Sequence, residues 1–289
     1  MCAVSHQMKG WGLLLSKEER VGGNRITREQ VLAAICARLE PLPYTHAMWE
    51  GGAVSWGRVD AWSDIDVQLD VDDERVEEAM TEVDRALESV SAIDLKYRMP
   101  DDAAGNYIQA FYRLRDASPY LLVDVAVLRH GATSKFLEPE VHGPPSFHFD
   151  KSGISQLPHF DLAAWQASHL GEWLADIQAR FEIFQVMVLK ELNRGNLVEA
   201  VGYYHAYTLR PLLNMLNMRY RPERHNFGVR YVYYELPAEV MARLEPLYLP
   251  ASLADLRAKQ AEAQEWFRQA AAEIAQALTT KDTKATKVV

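Results

Sequence analysis

At 289 residues and 48% hydrophobic, the chain is long enough to bury one or two cores and too apolar to be disordered. No apolar run approaches the ~20 residues that span a bilayer, so no membrane partner is expected. A net charge of −9 makes nucleic acid an unexpected partner and suits a site that attracts cations. Cys2 and Cys36 fit no metal-ligand spacing and read as reduced thiols. The start, Met1-Cys2-Ala3-Val4-Ser5-His6, lacks the basic-then-apolar pattern of a secretory signal, and a cytoplasmic location is expected.

In chain order, residues 1–25 have no clear period and end on the flexible join Gly22-Gly23-Asn24. Thr27-Arg28-Glu29-Gln30 is a capping box, and Val31, Ile35 and Leu39 repeat at helical spacing until Pro41 and Pro43. A short strand around Ala47–Glu50 precedes the double glycine Gly51-Gly52, whose backbone a phosphate can approach without Cβ interference. Asp64–Val71 is predicted as a strand whose period of two aims Asp64 and Asp66 from one face and Ile65 and Val67 into the core. Residues 72–92 read as a helix with the stripe Val76, Met80, Val83, Leu87 and Val90. Strands follow around Tyr107–Arg115 and Tyr120–Leu128, joined by the turn Asp116-Ala117-Ser118-Pro119.

The segment 141–160, with Gly143-Pro144-Pro145, reads as a linker, and 161–280 as helical throughout. Leu162–Leu192 is one helix or two. Asn196 with Glu199 caps the next, from Leu197 to about Met218, which Pro211 should kink or end. Pro237 opens a short helix, Ser252 caps a last one, and the polar tail 281–289 is expected to fray. The order predicts an α+β fold: a mixed sheet flanked by helices over 26–140, then an all-α bundle.

Two carboxylates beside a phosphate-cradling loop are what a Mg²⁺-nucleotide site requires. A third, Asp124, is the one charge in the apolar run Tyr120-Leu121-Leu122-Val123-Asp124-Val125-Ala126-Val127-Leu128. Its burial costs several kcal/mol unless offset, either by a metal shared with Asp64 and Asp66 or by Arg113 or Arg115 on the neighbouring strand.

The glycine pair, the spacer, Asp64-Ile65-Asp66 and the later Asp124 together resemble the polymerase-β-like nucleotidyltransferase superfamily. Many members carry Ser where this chain has Ala53, with Ser55 two residues on. The resemblance implies an N-terminal nucleotidyltransferase sheet domain and a C-terminal helical domain, laid out as in small-molecule adenylyltransferases that inactivate aminoglycoside or lincosamide antibiotics. It implies transfer of AMP from an NTP, ATP above others, to a small-molecule hydroxyl lodged between the domains. Asp64, Asp66 and Asp124 would hold two Mg²⁺ ions, Gly51 and Gly52 would meet the phosphates, and Ser63 would touch phosphate or simply bond the backbone. Arg224, in the basic-aromatic segment Arg219–Tyr231, is read either as a further triphosphate contact or as part of an exposed inter-helix loop whose arginines pair with surplus acids, and Glu182, Glu191 and Glu199 either as candidate bases from the helical domain or as solvated helix residues.

The histidines His142, His148, His159 and His205 show no metal-ligand interval and read as core or surface. Tyr203, Tyr204 and Tyr207 read as core or as an acceptor pocket. Alternatives to a small-molecule acceptor are a protein or RNA acceptor, as in toxin–antitoxin pairs, and a non-catalytic regulatory relative. Nothing in the sequence sets an oligomeric state.

Overall fold

Thr27 opens the first helix as the sequence predicts: its hydroxyl accepts from the Gln30 N–H while the Gln30 side chain accepts from the Thr27 N–H. That helix, α1 (Arg28–Leu39), buries Val31, Leu32, Ile35 and Leu39. The computed structural model describes residues 25–101, 104–156 and 161–285. The N-terminus through Asn24, His159 and the last residues of the tail lie outside them. The chain divides into two units, Met1–His159 and Phe160–Val289.

In the first unit, α1 leads to β1 (Thr45–Glu50), a helical turn α2 (Gly52–Ser55), β2 (Ile65–Val71) and α3 (Val76–Val90). β3 (Ile93–Arg98), β4 (Tyr107–Leu114), β5 (Leu122–Arg129), a short α4 (Pro139–His142) and β6 (Ser146–Asp150) follow. The six strands form one mixed sheet, ordered β3-β4-β5-β2-β1-β6. β2 and β5 run parallel at its centre, and every other neighbouring pair is antiparallel.

Alternation sorts the side chains of β2. Ile65, Val67, Leu69 and Val71 are wholly buried and share one core with α1, α3 and the inward residues of β4 and β5. Asp66, Gln68 and Asp70 therefore take the opposite face. Part of that face is covered by a smaller cluster of Ala47, Trp49, Ala126, Leu128 and Leu137. Asp70 is fully buried there and bonded to Lys135 Nζ at 2.7 Å and His130 Nδ1 at 2.8 Å.

Two strands depart from the sequence reading. β3 is an edge strand whose Leu95 and Tyr97 are more than half exposed, so it has no buried stripe to announce it. β6 lies within 141–160, the expected linker, and pairs with β1 despite the Gly-Pro composition just before it. The helix expected from residue 72 starts at Val76, after a 3₁₀ turn over Asp73–Arg75.

The second unit is helical: α5 (Leu162–Arg194), α6 (Leu197–Tyr204), a π-helical turn His205–Leu209, α7 (Arg210–Tyr220), a 3₁₀ turn Pro222–Phe227, α8 (Val232–Glu235), α9 (Ala238–Leu244) and α10 (Leu253–Ala285). Its core runs from Leu170 to Ile274. Pro211 explains the π turn. Lacking an N–H, it cannot serve the Tyr207 carbonyl, which accepts instead from Gln185 Nε2 of α5 at 2.8 Å. The Arg210 N–H reaches back five residues to the His205 carbonyl.

Asn196 stands at the N-cap of α6, but the expected capping box is absent. Its amide turns back to Glu191 Oε2 at 2.8 Å. Ser252 accepts from the Asp255 N–H at 3.1 Å, and α10 continues helical through Ala285, into the expected tail. No helix of the described residues is long and apolar enough to cross a membrane.

Candidate active site

The turn at Gly51-Gly52 is fastened to β2. The Gly51 N–H donates to the Asp66 carbonyl at 3.0 Å. Gly52 has a φ of +60°, and a Cβ there would lie 1.8 Å from Asp66 Oδ2. Both conformation and space require glycine at 52, and the Asp66 carboxylate rests against its backbone. Because the Gly51 amide is spent on β2, it is not open to a phosphate, as the sequence reading had it.

Asp66 and Asp124 are register partners across the parallel pair β2–β5. They point from the same face of neighbouring strands, which stand ~4.8 Å apart. Asp124 is half-buried, and both its oxygens accept from Gln109 Nε2 of β4, at 2.7 and 2.9 Å. Burial raises its pKa to about 6; the Gln109 hydrogen bond opposes the rise and the charge of Asp64 adds to it. The alternative to a metal was an arginine on the neighbouring strand, Arg113 or Arg115, but Arg113 is bound to Asp94 at 2.7 Å. An amide thus stands where a cation was sought.

Asp64 sits just before β2, held by its backbone: Arg28 Nη1 of α1 donates to its carbonyl. The same guanidinium pairs through Nη2 with Glu50, the last residue of β1, which is 5% exposed. The other Glu50 oxygen meets His148 Nε2 of β6 at 2.9 Å. Burial pushes the Glu50 pKa up, but the His148 hydrogen bond and the Arg28 charge outweigh it and hold the carboxyl below its usual range. His148, Glu50 and Arg28 form a brace from the sheet edge to the loop carrying Asp64.

The remaining expected site residues stand elsewhere. The Ser63 hydroxyl is engaged by Asp60, accepting from its N–H and donating to Oδ1, both at 2.9 Å. Arg224 belongs to the helical unit, is buried, and lies 3.2 Å from carboxylate oxygens of both Glu223 and Glu235. Arg221 is 1% exposed and pairs with Glu235 at 2.7 Å, and Arg219 pairs with Glu273. Among the proposed bases, Glu182 is bound by Arg268 at 2.8 Å and Glu191 by Arg194 and Asn196, while Glu199 is exposed. Tyr204 is core, its hydroxyl donating to the Leu247 carbonyl at 3.1 Å.

Among the described residues, no three His, Cys, Asp or Glu side chains stand in a finished metal-ligating arrangement. Asp66 leans on Gly52 and Asp124 on Gln109. The donor set itself, carboxylate oxygens only, suits a hard cation such as Mg²⁺. A half-buried carboxylate whose one hydrogen-bond partner among the described residues is an amide, its pKa raised by burial and further by the charge of Asp64, is also a place where a cation relieves repulsion. The residues fit the ion on both counts.

Sequence reasoning singled out the aspartates and the glycines but not Gln109, Glu50, Arg28 or His148. Gln109 was detectable as a lone amide inside the apolar stretch Tyr107-Ile108-Gln109-Ala110, and Glu50 by its place against Gly51. No protein-family model matches the chain, and no curated protein matches it.

Proposed function

We propose that this chain is a Mg²⁺-dependent nucleotidyltransferase of the polymerase-β-like type, moving AMP from ATP to a hydroxyl of a small-molecule acceptor. The observation that carries the reading is the register pairing of Asp66 with Asp124, beside a turn that only glycine can make. Asp64, Asp66 and Asp124 would hold Mg²⁺, which when bound neutralises charge on the attacking and leaving oxygens of an in-line displacement. Gly52 keeps side-chain bulk away from the phosphates, and the Gly52 and Ala53 amides take the phosphate contact that Gly51 cannot make. Asp124 would hold the ion beside the acceptor hydroxyl, lowering that hydroxyl's pKa or taking its proton. Gln109 holds that carboxylate in place, and Arg28 fixes the loop from which Asp64 projects.

The basic-aromatic segment offers little to an RNA acceptor, since three of its four arginines, Arg219, Arg221 and Arg224, are paired with glutamates and the exposed Arg230 lies over the Phe227 ring. The test is pyrophosphate release from Mg²⁺-ATP across a panel of hydroxylated and aminated small molecules, aminoglycosides and lincosamides included. Release with at least one acceptor, lost by ~10³-fold or more in Asp64→Asn and Asp66→Asn while the circular dichroism is unchanged, supports the reading. Aspartate variants as active as wild type would overturn it.

A further inference from the structure

The helical unit carries a cleft of ≈ 340 Å³ beside its π turn, lined by Ile177, Arg180 and Phe184 of α5 and by Tyr207, Arg210 and Asn214. The π turn is held by a buried polar hub. Gln185 donates to the Phe181 and Tyr207 carbonyls, and its Oε1 accepts from Thr208 Oγ1 at 2.9 Å, Gln264 Nε2 at 3.1 Å and Gln260 Nε2 at 3.3 Å. Such turns are uncommon inside helices and gather at functional positions. Here the turn places Tyr207 so that its ring stacks on Phe184 (centroids 5.0 Å, 24° between planes) and on Tyr203 (5.8 Å, 29°).

Charge gives the cleft its second property. Arg210 is exposed, and among the described residues its side chain has no hydrogen-bond or ion-pair partner. Arg180 is neutralised by Asp176, four residues earlier, and no carboxylate lines the cleft. An aromatic shelf beside an unpaired guanidinium suits a flat ring bearing an anion, held by local charge against the −9 of the whole chain. A polycation would meet repulsion there.

We infer that this cleft binds a planar aromatic carboxylate, its ring against Phe184 and the edge of Tyr207 and its carboxylate on Arg210. Such binding is independent of the nucleotidyl-transfer chemistry: it uses none of Asp64, Asp66, Asp124 and Gly52.

Calorimetric titration of the full chain with 2-naphthoate tests it, with 2-naphthol and benzyltrimethylammonium as uncharged and cationic controls. The expected result is saturable one-to-one binding of 2-naphthoate, at least tenfold weaker for 2-naphthol and absent for the cation. Arg210→Gln, a change at an exposed position, should weaken naphthoate binding at least tenfold with unchanged circular dichroism. Tyr207→Leu should weaken it as well, and Asp66→Asn should leave it untouched, so that this site and the transferase reading fail separately. No binding at millimolar naphthoate, equal binding of the cation, or an Arg210→Gln variant that binds like wild type would overturn the assignment.

Discussion

Asp124 keeps its proton more tightly in the folded chain than in the unfolded one, because burial opposes its charge and the nearby Asp64 adds to the rise. The sign follows. A raised carboxyl contributes stability that is fully present below the unfolded pKa, about 3.9, and lost as the pH rises through about 6. In chelator-treated buffer, Asp124→Asn should therefore flatten the pH dependence between about 4 and 6 relative to wild type. At pH 7 the variant should be the more stable, by on the order of 1 kcal/mol once solvent screening is allowed for. Urea midpoints at pH 4.5 and 7 read both effects, and an Asn variant less stable at pH 7 would refute the account. Gly52→Ala works in the other direction. It combines a left-handed φ with a Cβ in collision with Asp66, and should cost about 1–3 kcal/mol, read as a lowered melting temperature. Asp124 was legible in the sequence because a lone charge in an apolar run is conspicuous. Its partner was not: an arginine on the next strand looks the better match, and only register shows that Gln109 reaches it while Arg113 turns to Asp94.

At the scale of elements, α1 does more than cover the sheet. Its first residue, Arg28, braces both the buried Glu50 at the end of β1 and the backbone of Asp64. Arg28→Met leaves Glu50 buried with His148 as its remaining bonded side chain, and breaking a buried pair in this way should cost about 3 kcal/mol near neutral pH. The Glu50 pKa is lowered in the fold, so the stability it contributes is present above the usual carboxylate pKa and lost as the pH falls through the lowered one. The gap between Arg28→Met and wild type should therefore narrow as the pH falls from 7 into the acid range, which chemical denaturation over a pH series would detect; a gap constant down to acid unfolding would point to lost packing instead. The capping box that starts α1 was legible from four residues, because the interaction is local. The brace was not, since it joins α1, β1 and β6, and β6 falls in a stretch whose Gly-Pro composition reads as linker. The π turn shows the same division: Pro211 announces a disturbance, but its form depends on Gln185 arriving from another helix to serve the freed carbonyl.

Across the whole molecule, the two-part plan was legible because strand-period segments give way, after a Gly/Pro-rich stretch, to helix-period ones. Each part has a core of its own: one gathers Val31 to Phe149, with a small satellite on the other sheet face, and the other gathers Leu170 to Ile274. Separate cores make a prediction about where damage travels. Phe181 and Phe267 are essentially fully buried and stack at 3.6 Å with 7° between their planes, joining α5 to α10. Truncation by Phe181→Ala removes the ring and leaves a cavity that two long helices fill poorly, at a cost of about 3–5 kcal/mol. Because no residue of that core belongs to the sheet, the loss should stay in the helical unit. Hydrogen exchange should quicken across α5, α7 and α10 while the amides of β2 and β5 keep their protection. Calorimetry should show a transition moved to lower temperature beside one that stays. Uniformly faster exchange in both units would mean that the cores unfold as one cooperative body.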